Sequence, residues 1–321
     1  GIAVILVTGR ILKDLHRVAG NLDFLDAVVA ENGAILAFPE KNRTMILTHP
    51  PPPVLIEELK RRDIHAIAGE CIIEADASHA QCILKVIREL ELPLAITFNR
   101  SRLMILPLSV SKATGLHKAL SFFRLSTHNT IAIGDAENDH ALLDLCEIGL
   151  AVQWGSPALK AVADEVLEGR DSGAIATYIR KISVEPRLPK VRRRRKLLLG
   201  SAEDGNPLYL EVRGRNILIT GDSGSGKSWL AGLLCEQLIL QDYSVCVIDP
   251  EGDYSPLEAL PGVVVFREDG GPHFGNLEQV FRYPESSVVV DLSKMSPVKR
   301  LDYIPALLKM LGALRRQTGL P

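Results

Sequence analysis

Two short stretches of this sequence hold residues spaced for chemistry. The first is Gly134-Asp135-Ala136-Glu137-Asn138-Asp139, which follows the apolar β-type run Thr130–Ile133. A strand that stops at a glycine and releases Asp135, Asn138 and Asp139 at its carboxyl end suits a hard divalent cation, which takes oxygen ligands. The plainer alternative is a polar loop in which the same residues serve as turn and N-cap groups. The second stretch is Gly221-Asp222-Ser223-Gly224-Ser225-Gly226-Lys227-Ser228, a Gly-x4-Gly-Lys-Ser phosphate loop. Its glycines let backbone N–H groups converge on a phosphate. Lys227 would reach the outer phosphates and Ser228 would ligate Mg2+. Gly221, Ser223, Gly224, Ser225, Gly226, Lys227 and Ser228 are therefore the nucleotide-binding candidates. An anion-holding loop without hydrolysis is the alternative.

Elements must position these groups. Ile2–Val7 is a continuous apolar run that predicts a buried parallel strand ending in Thr8-Gly9-Arg10. There the Thr8 hydroxyl and the Gly9 N–H could cradle a phosphate, or form a plain turn. A helix is predicted over about 11–19, then a strand over 27–30 running into Glu31-Asn32-Gly33, where Asn-Gly signals a turn. From about 36 to 106 short strands (44–47, 70–75, 95–98) alternate with helices near 53–62 and 78–90, which reads as a small α+β insert. The chain returns to the main body at Leu103–Pro107. A helix then opens at Lys112 and runs to about Phe123, and a lysine at that position could neutralise phosphate charge or simply be solvated.

Pro186, Pro189 and the run Arg192–Lys196 mark a linker over about 183–198. It reads as a solvated spacer, with a nucleic-acid contact as the less favoured alternative because no aromatic residues interleave the basic run. Beyond it, a strand over 215–220 leads into the phosphate loop and a helix over 229–240. Strands over 244–248 and 287–290 end in Asp249 and Asp291, either of which could contribute to a Mg2+ site. A helix is predicted over about 301–316.

The 321 residues suit two domains, and 46% hydrophobic with 24% charged residues describes globular units with ample core material. A net charge of −2 gives no global pull toward nucleic acid or membrane. The five cysteines form no Cys-x-x-Cys pair, so neither a disulfide framework nor a zinc site is indicated and a reducing cytoplasm is expected. No apolar run is long enough for a membrane span.

Thr8-Gly9-Arg10, Glu31-Asn32-Gly33-Ala34, Lys112 with Gly115-Leu116, and Gly134-Asp135-Ala-Glu-Asn138-Asp139 together resemble, in order and spacing, the haloacid dehalogenase-like phosphatases of the Cof-type branch. The likeness covers about 1–182. It implies a Rossmann-like doubly wound α/β core with the insert as a cap. It also implies Mg2+-dependent hydrolysis of small phosphate esters, of the sugar-phosphate type, through an aspartyl-phosphate. Carried over by position, Asp135 would ligate Mg2+ and Asn138 and Asp139 would support it. Thr8, Gly9 and Asn32 would hold phosphate, and Lys112 would stabilise the nucleophile and phosphate charge. The family's first motif, Asp-x-Asp, supplies the nucleophile and is not among the seven residues before Thr8. The expectation is that it precedes Gly1, the alternative being a remnant domain.

Residues 199–321, with the phosphate loop and Asp249-Pro-Glu-Gly-Asp253-Tyr254, resemble the HerA/FtsK-like ATPases, which implies an α/β P-loop NTPase domain that is incomplete at Pro321. The leading expectation is a cytoplasmic phosphatase fused to an ATP-binding and ATP-hydrolysing domain, able to form oligomers. Two alternatives stay open. One is a bifunctional small-molecule kinase–phosphatase with Asp249 as base. The other is a nucleotide-binding or DNA-associated module with an inert phosphatase domain.

Overall fold

The computed structural model describes residues 2–184, 196–212, 216–268 and 271–318. Most of the Arg192–Lys196 run and of the linker lies outside these. The chain divides into two compact units, the first taking residues up to Phe122 and from Thr130 to the described end at Val184, the second taking 123–129 and the described residues from Lys196 onward.

The first unit runs β1 (Ile5–Val7), α1 (Leu12–Ala19), β2 (Ala27–Ala30), β3 (Ile35–Phe38), β4 (Arg43–Ile46), α2 (Pro53–Arg61), β5 (Ala66–Ala68), β6 (Ile73–Asp76), α3 (Ala80–Glu89), β7 (Leu94–Asn99), β8 (Arg102–Pro107), α4 (Lys112–Phe123), β9 (Ile131–Gly134), α5 (His140–Leu145), β10 (Ile148–Val152), α6 (Pro157–Val162), β11 (Glu165–Leu167) and α7 (Ser172–Val184). The second continues with β12 (Lys196–Ser201), β13 (Pro207–Glu211), α8 (Lys227–Ile239), β14 (Cys246–Asp249), β15 (Val263–Phe266), α9 (Phe274–Phe281), β16 (Ser287–Asp291) and α10 (Pro297–Thr318).

Three sheets build the first unit. β1-β2-β3-β4 is mixed, with β1 parallel to β2 and antiparallel pairs after it. β11-β10-β9 is parallel, and the insert sheet β5-β6-β8-β7 is antiparallel. Two expectations change here. β1 is shorter than the apolar run and only half-buried, because it lies at the edge of its sheet; Ile2 and Val4 are exposed. The insert also begins later than its sequence suggests. The Asn32-Gly33 turn folds the fully buried Ile35–Phe38 back onto β2, so β3 and β4 extend the first sheet. At the far end, β8 pairs inside the insert rather than in the main body.

The continuous apolar run of β8 has a simple cause. Successive side chains of a strand point to opposite faces. Leu103 and Ile105 enter the insert core, against Leu55 and Leu59 of α2 and Ile83, Val86 and Ile87 of α3. Met104 and Leu106 join the other core, with Leu15, Val28 and Ile35. Both helices present apolar residues at i, i+3 or i+4 spacing, as a sheet-covering stripe requires. The insert is thus packed on both faces.

In the second unit β14-β16-β15 form a parallel sheet and β12-β13 an antiparallel pair. Val288, Val290, Leu277, Phe281, Leu307 and Leu314 form its core. The strand predicted over 215–220 is not seen among the described residues 216–220, which have no ladder partner and leave Ile217 and Leu218 exposed. An extended segment needs a paired neighbour to become a strand, and apolar character alone does not supply one. No helix of the described residues is long and apolar enough to cross a membrane.

Candidate functional site

Carboxyl ends of strands and one helix start bring the candidates of the first unit together. After β1, the Thr8 hydroxyl accepts from the Arg10 N–H at 3.2 Å and closes the Thr-Gly-Arg turn. The Thr8 carbonyl accepts from the Asn32 N–H at 3.0 Å, and the Arg10 carbonyl accepts from the Glu31 N–H at 3.0 Å. The loops that follow β1 and β2 are thereby zipped side by side.

The turn after β2 is unusual backbone: Glu31, Asn32 and Gly33 have φ of 50°, 56° and 107°. Left-handed conformation at two non-glycine residues in succession persists only where the surroundings hold it. Here the fully buried Glu31 carboxylate accepts from the N–H groups of Glu70 (3.0 Å), Cys71 (2.8 Å) and Ile72 (3.3 Å), so the turn between β5 and β6 is tied to the turn after β2. A Cβ on Gly33 would lie 2.0 Å from the Ser111 carbonyl oxygen, and one on Gly115 would lie 2.5 Å from the Gly33 Cα. These two glycines let the start of α4 settle on the turn, and Lys112 follows Ser111 into the interior.

Lys112 is buried with Asp139. Its Nζ donates to Asp139 Oδ1 at 2.6 Å and to Asn138 Oδ1 at 3.0 Å. Asp139 Oδ2 accepts from the Asp135 and Ala136 N–H groups at 2.9 and 3.0 Å. Asn138 Nδ2 in turn donates to Asn32 Oδ1 at 3.3 Å. Gly9 packs beside this amide, since a Cβ there would meet Asn138 Nδ2 at 3.6 Å and the Met104 sulfur at 3.1 Å. Thr8, Gly9, Asn32, Lys112, Asn138 and Asp139 thus form one constellation. Asp135 stands apart in character: its side chain is 46% exposed, and Oδ2 accepts from Arg100 at 2.9 Å.

This arrangement sorts the carboxylates. Both Asp139 oxygens are committed to Lys112 and to the loop's own N–H groups, so Asp139 sets the loop and the lysine. Asp135 presents its carboxylate outward. Mg2+ is commonly held by one or two carboxylates, with waters and substrate phosphate completing the shell. A single exposed carboxylate fits that pattern, and no group of three or more His, Cys, Asp or Glu suited to a metal occurs among the described residues. Nearby, on the insert strand β6, burial pushes the Glu74 carboxyl above its usual range, partly offset by the Arg102 guanidinium 2.6 Å away.

In the second unit the loop glycines adopt left-handed or extended φ: 155° at Gly221, 79° at Gly224 and 88° at Gly226, which caps α8. The helix begins at Lys227, two residues before the predicted start at 229. The Lys227 Nζ donates to the Asp222 carbonyl at 2.6 Å, and Ser223, Gly224 and Ser225 are exposed. The Ser228 side chain lies near that of Tyr254. Asp249 and Asp291 end adjacent paired strands in register. Asp249 is fully buried, and its two oxygens accept from the N–H groups of Glu251, Gly252, Asp253 and Tyr254 at 2.8–3.3 Å. It is therefore committed to folding the turn after β14, which argues against a metal or general-base role. Asp291 accepts from the Ser293 N–H at 2.9 Å and is more open.

Two residues at the first site escaped sequence reasoning. The Glu31 carboxylate has partners 39 to 41 residues away, so no local pattern announces what it binds. Arg100 sits in a hairpin whose placement depends on how the insert folds.

Residues 41–179 match the haloacid dehalogenase-like hydrolase family and residues 198–312 match the central domain of helicase HerA. The chain is 30% identical over 185 residues to phosphoglycolate phosphatase 2 of Saccharolobus solfataricus, covering 56% of this chain and 76% of that protein. It is 31% identical over 180 residues to phosphoglycolate phosphatase of Sulfurisphaera tokodaii, covering 55% and 77%. A haloacid dehalogenase-like hydrolase structure from Bacteroides thetaiotaomicron superposes with a TM-score of 0.50 at 17% identity, over 57% of this chain and 87% of the other, which speaks to fold. Spanning about three quarters of those two relatives, with the four motif segments folded onto one site, the chain belongs to the haloacid dehalogenase-like hydrolases as a phosphatase-type member that continues into a HerA-like domain.

Proposed function

We propose that the first unit takes part in Mg2+-dependent hydrolysis of small phosphate esters. The observation that carries this reading is the buried Lys112–Asp139–Asn138 network, which fixes a cation beside the Thr8-Gly9 turn and leaves the Asp135 carboxylate facing out. Phosphoryl transfer depends mostly on positioning and charge neutralisation. In this reading the Thr8 hydroxyl and Gly9 N–H orient phosphoryl oxygens, Lys112 offsets their charge, and Asn138 holds Asn32 and Lys112 in register. Asp135 would hold Mg2+, which when bound supplies electrostatic stabilisation of the transferring group. The nucleophilic aspartate of the family's first motif is not assigned to any residue of this chain. Sugar phosphates remain in the substrate range, and the names of the two archaeal relatives add phosphoglycolate. The test is phosphate release from both ester types with and without Mg2+. In a protein that carries the nucleophilic aspartate, Asp135→Asn is expected to abolish the Mg2+-dependent rate, and full retention would refute the metal assignment.

The second unit is proposed to bind and hydrolyse ATP at Gly221–Ser228, with Mg2+ on Ser228. Lys227→Ala is expected to weaken ATP binding and leave phosphate-ester hydrolysis intact; loss of both would refute independent sites. The match to a helicase domain favours a second reading, in which nucleotide turnover serves a nucleic-acid partner. DNA-stimulated ATP hydrolysis with strong salt dependence would support it. The kinase alternative loses ground, because Asp249 is held by four backbone N–H groups.

A further inference from the structure

Arg100 has no part in the reading above, yet it reaches the same site. It occupies the tip between β7 and β8 with a left-handed φ of 55°, and its guanidinium lies 2.9 Å from Asp135 Oδ2. Both side chains are well exposed, at 68% and 46%. An ion pair of that kind contributes little to stability, so its position calls for another explanation. The next cation along the hairpin, Arg102, is neutralised by the largely buried Glu74. The hairpin tip therefore offers the site a guanidinium whose partner is the carboxylate proposed for Mg2+. When Asp135 serves a cation, Arg100 is left at the site mouth with a planar fork of donors. That fork matches a carboxylate or a second phosphate in geometry and charge.

We propose that Arg100, carried by the β7–β8 tip, binds a second anionic group of the substrate, which makes small phosphorylated acids, rather than phosphate esters of uncharged alcohols, the preferred substrates of the first unit. The assignment rests on the phosphate-site reading of Thr8, Gly9, Lys112 and Asp135. It makes Arg100 a specificity-determining residue of the insert. It also gives the hairpin tip a reason to carry an exposed cation directly over the Asp135 loop.

Calorimetric titration of the protein in Mg2+ buffer with 2-phosphoglycolate and with methyl phosphate separates the two layers of the argument. The unaltered protein is expected to bind the phosphorylated acid about tenfold more tightly than methyl phosphate, the scale of a charge-assisted hydrogen bond. In Arg100→Ala that preference should vanish while methyl phosphate affinity stays unchanged, and Arg100→Lys should restore part of it. Equal binding of the two ligands by the unaltered protein, a preference that survives Arg100→Ala, or an equal loss for both ligands would overturn the proposal. If neither ligand binds the unaltered protein, the phosphate-site reading fails first and the proposal falls with it.

Discussion

The two candidate phosphate sites of this chain are built in opposite ways. The first is assembled from four separated segments, and its cation is buried and held by a carboxylate and an amide. The second is one contiguous stretch of eight residues, exposed along most of its length, whose lysine folds onto a carbonyl of its own loop. In sequence the second is far easier to see. In structure the first is far better supported. The difference shows that the clarity of a motif reports how local a site is, and says little about how firmly its surroundings hold it.

The comparison predicts a large asymmetry between the lysines. Lys112→Ala leaves Asp139 buried and uncompensated, and breaking one side of a buried pair costs about 3–5 kcal/mol. Denaturant unfolding of the first unit should shift by that amount. Lys227→Ala removes a partly exposed lysine whose one hydrogen bond is to a carbonyl of its own loop, so unfolding should move by less than about 0.5 kcal/mol. ATP affinity should nevertheless fall by about 10- to 100-fold, as expected for a lost hydrogen bond to a charged group. Similar destabilisation by the two substitutions would break the contrast.

A second tier concerns the two buried carboxylates that fold loops. Glu31 joins the insert to the turn after β2 over some forty residues, whereas Asp249 serves the turn that immediately follows it. Glu31→Gln keeps the shape but loses charge-assisted acceptance, at about 1–3 kcal/mol. Because Asn32 follows Glu31 and Asn138 bonds Asn32, the change should also weaken phosphate binding. Asp249→Asn should cost a similar amount in the second unit and leave phosphate binding at the first site untouched. Hydrogen exchange at Glu70–Ile72 would report the first loss, and at Glu251–Tyr254 the second.

How much of this was legible in the sequence follows the same division. Helices such as α2 and α3, with apolar residues at i+4 and i+3 spacing, were readable because their periodicity is local. The helix α8 was readable for the same reason, to within two residues at its start. The burial of Lys112 was not: a lysine at a helix start is usually solvated, and its burial depends on Gly33 and Gly115 allowing α4 to approach the turn. The bounds of the insert were misjudged because β3 and β8 are apolar runs whose pairing partners no short-range pattern names. The strand before Gly221 was expected from composition, and it lacks a ladder among the described residues. Pairing is a property of the neighbour as much as of the segment.

The smallest predicted effect carries a sign that differs between the units. Burial raises the Glu74 carboxyl above its usual 4.5, so the folded first unit binds this proton more tightly than the unfolded chain does. Its contribution is present below pH 4.5 and declines as pH rises through the raised folded value. Asp291 behaves oppositely. The Ser293 hydroxyl and backbone N–H hold it below its usual 3.8, so its contribution is present above pH 3.8 and declines as pH falls through the lowered folded value. Glu74→Gln should therefore become more stable relative to the unaltered protein as pH rises from 4.5. Asp291→Asn should recover its deficit as pH falls below 3.8. Arg102 complicates the first case, because the glutamine also loses the ion pair. The slope against pH, rather than the offset at one pH, is the quantity that isolates the proton. Each change should stay within about 1 kcal/mol, since both groups are near solvent or charge-compensated. Parallel slopes in the two variants would show that burial does not raise the Glu74 carboxyl, and that the inner face of the insert is wetter than its packing implies.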